Sequence, residues 1–118
     1  MLYLNVQDFF DKTADLTILS REDERKLFLE WVHGDTTARS RIIEGYLPMV
    51  AGHIRHCKQP LQTLNLVYGC LQALEHAVDS FDFLQDSEPF SHRLSWYLRQ
   101  TTMRYIADQR NATSHCDV

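Results

Sequence analysis

Four neighbouring residues carry the side chains best suited to meet a nucleic acid: Trp96, Tyr97, Arg99 and Gln100. An aromatic ring stacks on an unpaired base for about 1–3 kcal/mol. Arg99 suits a phosphate and Gln100 a base edge. On a helix, consecutive residues point about 100° apart, so Trp96 and Tyr97 cannot both face inward. Leu94, Leu98, Thr101 and Tyr105 define a buried side, and Trp96 falls at its edge, open to stacking. The competing reading is that both rings belong to the core, the commoner fate of aromatics at helical spacing.

Other chemistries find less support. His53, His56 and Cys57 lie close in sequence, but a structural zinc site needs about four such ligands and no fourth is near. The two histidines read as half-buried or exposed imidazoles, and no metal or other cofactor is expected. Ser91 and His92 are adjacent but point apart on a helix, and a serine that caps a helix is already engaged. Four scattered glycines build no phosphate loop. We therefore expect a protein that binds and does not catalyse. Its net charge of −4 argues against independent duplex binding, because phosphate neutralisation supplies most of that affinity.

The elements that position these residues are helices. One spans about 3–12, with Leu4, Phe9 and Phe10 on an apolar side. Ser20 caps a second over about 21–33, which buries Leu27, Trp31 and either Phe28 or Val32. Gly34 ends it and Asp35 restarts the chain, helical over about 36–46. Pro48 predicts a break, with a new helix over about 49–57, because proline removes a hydrogen bond and clashes with the preceding turn. Gln59-Pro60 ends that helix, and Thr63 caps the next, about 64–80. A polar loop over 82–89 leads to a last helix, about 92–110, capped by Ser91.

A chain of 118 residues with 44% hydrophobic residues has room for one small core. We expect a single all-α, multi-helix bundle over residues 1–110, opened by a lead-in segment over 1–20 and closed by a polar tail over 111–118. No apolar run approaches the roughly 20 residues of a membrane helix, and no signal-peptide pattern is present. A cytoplasmic protein that binds no membrane is expected. Cys57, Cys70 and Cys116 read as reduced thiols, two of them in the core.

Several segments resemble the sigma-70 family of bacterial RNA polymerase sigma factors. Phe90-Ser91, Trp96-Tyr97, Arg99-Gln100 and Ile106-Ala107-Asp108-Gln109 resemble that family's promoter-melting helix. Leu2-Tyr3-Leu4 and Leu16 to Glu24 resemble its lead-in pattern, L-Y-L then L-L-T-R-E-E-E. Gly34-Asp35, Ala38-Arg39 and Ile42-Ile43-Glu44 resemble G-D-x-x-A-R-x-x-L-I-E, and Ala77 to Asp82 resembles A-V-E-K-F-D. The resemblance implies a domain of the region 2 type, with a segment like region 1.2 before it. It implies contact with core RNA polymerase, through its clamp, and with the melted −10 promoter element, mainly as single-stranded DNA.

Carried over by position, the DNA-facing set is Arg93, Trp96, Tyr97, Arg99, Gln100 and Arg104. Arg93 stands where the family has the aromatic that stacks on the flipped base; a guanidinium also stacks. The segment before that helix, basic in the family, reads Leu84-Gln85-Asp86-Ser87-Glu88-Pro89 here. The family's clamp-gripping D-L-I-Q-E-G aligns with Asn65 to Cys70, so that Asn65, Tyr68 and Gly69 stand at its polar positions. These departures support a second reading, a sigma-shaped module that binds an anti-sigma protein or another regulator. A third reading is half of a split sigma factor, its upstream-reading part supplied by a second sigma-like subunit. The chain opens on Met1 and ends where the family's second domain ends, so we expect either a complete short protein or a piece cut from a longer one.

Overall fold

Polar caps set the helix starts. A computed structural model describes residues 3–116, with side chains described for 3–110. Asn5 accepts a hydrogen bond from Asp8 N (2.8 Å) and opens α1, Val6–Ala14. The helix thus begins later than expected. Leu4 lies outside it, 85% exposed, while Tyr3 joins the core at 5% exposure, edge-on to Phe9. Ser20 caps α2, Arg21–Val32, through Asp23 N. That helix buries Leu27 and Phe28 and leaves Val32 exposed. Gly34 stops it in a left-handed turn (φ 95°), with Gly34 N and Asp35 N donating to the carbonyls of Trp31 and Glu30.

Asp35 accepts from Thr37 N and Ala38 N and opens α3. The break expected at Pro48 does not occur: α3 is one helix, Thr36–His56, with Pro48 inside it. An interior proline costs about 3 kcal/mol or more. Ile42, Leu47, Val50, Ala51 and Ile54 are all buried along the same helix, and burying each large aliphatic side chain contributes about 1.5–3 kcal/mol. The continuous buried face outweighs the local penalty. After a short 3-10 turn at Gln59–Leu61, Thr63 caps α4, Leu64–Ser80, through Leu66 N.

The last helix, α5, runs Phe90–Cys116, so it starts before and ends after the expected bounds. Ser91 is not its cap. Phe90 is buried against Phe28, Tyr46 and Phe81, which holds residue 90 in the first turn. The Pro89 carbonyl accepts from His92 N and Arg93 N. The side chain of Cys116 and all of Asp117 and Val118, in the expected tail, lie outside the described residues.

The result is an all-α bundle, with no strand among the described residues. Helices α3 and α4 form its middle; α2 and α1 pack on α3, and α5 packs on α4. Arg39 joins α3 to α4 by two hydrogen bonds to Asp79 (2.7 and 3.0 Å), which raise the guanidinium pKa and lower that of the carboxyl. The Tyr46 hydroxyl donates to the Glu24 carboxylate across α3 and α2, and burial with that charge raises its pKa.

His53 Nε2 lies 2.7 Å from Thr102 Oγ1 and ties α3 to α5. Thr102 spends its own proton on the Leu98 carbonyl, so the imidazole is the donor. Burial, followed by the neighbouring His56, lowers the His53 pKa below its usual 6.5. In the pH range just below that value the unfolded chain binds more protons than the folded one, so stability falls as pH drops. Urea unfolding at neutral and mildly acidic pH should show this loss, and His53→Gln should shrink it.

Candidate nucleic-acid interface

The face between α4 and α5 begins at a shared anchor. Thr63 both caps α4 and bonds the Tyr105 hydroxyl of α5 at 2.8 Å. Leu66, Val67, Cys70, Ala73, Leu74, Ala77 and Val78 bury one side of α4, and Phe90, Leu94 and Leu98 the facing side of α5. Burial pushes the Cys70 thiol up to about 12, so it packs as an apolar group and not as a nucleophile. Cys57 is partly buried.

At Gly69 the two helices come very close. A Cβ placed there would lie 3.3 Å from Thr101 Cγ2. Gly69 is therefore a packing position as well as a surface one. Placing a larger side chain there gains up to about 1 kcal/mol of helix propensity but has to displace Thr101.

The aromatic pair divides as helical geometry requires. Tyr97 leans on α4, edge-on to His76 (ring centroids 5.2 Å apart), with its hydroxyl 3.3 Å from Ser80 Oγ. Trp96 remains 51% exposed, edge-on to Tyr97 at 5.1 Å. Beside them runs an open groove of about 600 Å³. One wall is Asn65, Gly69, Gln72, Ala73 and His76 of α4; the other is Trp96, Tyr97, Gln100, Arg104 and Asp108 of α5. Aromatic, amide and guanidinium groups thus face one channel, a set able to stack a base, read its edge and hold a phosphate.

The remaining residues singled out from the sequence lie elsewhere. Arg99 is exposed and does not line the groove. Arg93 sits in the first turn of α5, its Nη2 3.1 Å from Asp86 Oδ2 and its guanidinium 5.9 Å from the Phe81 ring centre. Tyr68 lines a second cavity of about 700 Å³ with Tyr3, Leu47 and Leu71. Its hydroxyl accepts from Tyr3 N at 3.0 Å, so the N-terminal segment straps across it. The Asn65, Tyr68 and Gly69 set is therefore divided between two faces of α4.

The groove also contains Gln72 and His76, which sequence reasoning passed over. With Asn65 and Gly69 they form a stripe at helical spacing (i, i+4, i+7, i+11), a signal present in the sequence. In the sequence Asp86 is one acid of a polar loop; its pairing with Arg93 comes only from the fold.

No family model matches the chain. A protein of Bacillus thuringiensis subsp. kurstaki, named "Putative RNA polymerase sigma-G factor", is 32% identical over 98 residues, which cover 81% of this chain and 77% of that protein. The chain belongs to the sigma-factor family. Among the described residues this sigma-family chain gathers no group of three metal-ligating side chains, and none of its helices is long and apolar enough to cross a membrane.

Proposed function

We propose that this chain acts in transcription initiation as a domain of the sigma region 2 type. In this reading it docks on the clamp of core RNA polymerase and receives the non-template strand of the melted −10 element in the groove between α4 and α5. One observation carries the reading: Trp96 stands half in solvent at the mouth of a groove whose walls also present Gln100, Arg104 and His76. Trp96 stacks on an unpaired base, Gln100 meets a base edge and Arg104 a phosphate. Tyr97 braces the indole from behind, and Arg99 meets the backbone outside the groove. The clamp contacts are Asn65 and Gly69, at the α4 wall of the same groove, and Tyr68, on the other face of α4 under the N-terminal strap. The site of action is then the cytoplasm, where polymerase works. The role is recognition, without catalysis or cofactor.

The net charge of −4 makes binding to duplex DNA by the chain alone negligible at physiological salt, whereas a promoter-like non-template oligonucleotide binds weakly. Fluorescence titration tests this in a Trp31→Phe background, which leaves Trp96 as the only indole. The oligonucleotide should quench Trp96, and Trp96→Ala, followed by a label on the DNA, should lower affinity about 5- to 150-fold, the equivalent of about 1–3 kcal/mol of stacking. Tight duplex binding, or full affinity in the alanine variant, refutes the reading.

A second reading has its own support. The Tyr3–Tyr68 and Asp86–Arg93 contacts engage residues on both expected surfaces, as suits a module that binds an anti-sigma protein or a second sigma-like subunit. Purification from native lysate separates the two: polymerase subunits accompany an initiation factor, and a small regulator accompanies a mimic.

A further inference from the structure

We infer that Arg93 is a seat for a backbone phosphate of single-stranded DNA, held shut by Asp86 acting as an internal phosphate mimic. The inference rests on the reading that this face receives a melted strand. Asp86 is placed by a closed turn. Its carboxylate oxygen Oδ2 accepts from Asp82 N at 2.9 Å, its own N donates to the Asp82 carbonyl at 2.8 Å, and Asp82 Oδ1 accepts from Leu84 N and Gln85 N at 3.2 Å. The same Oδ2 meets Arg93 Nη2 at 3.1 Å.

The contact leaves the guanidinium incompletely used. Arg93 Nε is buried and has no hydrogen-bond acceptor among the described residues. A carboxylate that engages the guanidinium fork fully takes two parallel bonds; here one oxygen serves one edge. Leaving a buried donor unsatisfied is unfavourable, so an anion able to engage both edges has an advantage over Asp86. A phosphate offers that geometry, with oxygens for Nε and Nη2 together once release of Asp86 lets the guanidinium turn its buried Nε edge outward. The pair is partly exposed, at 32% for Arg93 and 24% for Asp86, so it can exchange with solvent. Trp96 lies three residues, about one helical turn, further along α5, so in this proposal a strand leaving the groove at Trp96 passes its backbone to Arg93.

Opening requires that Asp86 leave Arg93. Asp86→Asn weakens the pair while its side-chain oxygen still accepts from Asp82 N and keeps the turn. The probe is fluorescein-labelled oligothymidine, titrated by anisotropy into the full chain at low salt. Asp86→Asn should bind about two- to fivefold more tightly than the parent, since partly exposed ion pairs are weak restraints. It should also steepen the dependence of log K on log salt by about 0.7, the slope for one additional single-strand phosphate. Both gains should vanish in Asp86→Asn with Arg93→Gln, and Glu88→Gln, which removes a neighbouring charge without touching Arg93, should change affinity less. If the Asn variant melts early, Asp86→Ser, which retains an acceptor for Asp82 N, takes its place.

The inference is overturned by unchanged affinity in the Asp86 variants, or by an equal gain with Arg93→Gln present, which would mark plain repulsion. It is overturned too if affinity rises for polyglutamate and not for oligothymidine, which would identify an acidic peptide as the occupant. Trp96→Ala in the Asp86→Asn background reads the stacking proposal separately: full affinity there sinks base stacking while the Arg93 coupling stands.

Discussion

Replacing Leu66 by Asp is expected to abolish the cooperative melting of this chain, and Val78→Asp should do the same. Leu66 is 1% exposed and Val78 fully buried, one near each end of α4, the helix that packs on both α3 and α5. A carboxylate at either position enters the core with no cation to pair it. Uncompensated buried charge belongs to the short list of changes that cost more than about 4 kcal/mol, a large share of the 5–15 kcal/mol typical of a whole domain. Far-ultraviolet circular dichroism should show lost helicity, or a transition displaced far below that of the parent. A parent-like melt in either variant would show that α4 does not face inward as described.

The second large effect is expected at Phe90. Its ring packs against Phe28, Tyr46 and Phe81, with centroids 5.2, 4.8 and 5.3 Å away. It therefore joins the start of α5 to α2, α3 and the end of α4. Phe90→Ala should cost about 3–5 kcal/mol through lost burial and the cavity left behind. Phe90→Leu should cost much less, since it retains most of the apolar volume. Chemical denaturation of the three proteins gives the ordering, and similar midpoints for Ala and parent would remove Phe90 from its central position.

Local chemistry made much of this fold legible in the sequence. Ser20, Asp35 and Thr63 cap the helices expected of them, and α4 has the expected bounds, because a cap is decided by a few adjacent atoms. The errors fall where distant residues decide. Pro48 should end a helix by local rules, but Ile42, Val50 and Ile54 bury one face straight through it. Ser91 has the right chemistry for a cap, yet Phe90 is pulled into the first turn by Phe28 of α2, Tyr46 of α3 and Phe81 just after α4. Leu4 and Tyr3 exchange roles because Asn5, not Tyr3, starts α1. The site divides in the same way. The exposure of Trp96 followed from helical angles, whereas the ties from Arg93 to Asp86 and from Tyr68 to Tyr3 span 7 and 65 residues and needed the fold.

The close approach at Gly69 has a consequence for how this surface can change. With a hydrogen for a side chain on α4 and the Thr101 methyl opposite on α5, the glycine acts as a spacer that fixes the gap between the two helices. A larger residue there requires the Thr101 methyl, in the lining of the same groove, to give by a few tenths of an ångström. A mutation selected for chemistry on α4 thereby reaches α5 through that one methyl. The two walls are geared together, and variation at residue 69 has to be accepted by both at once.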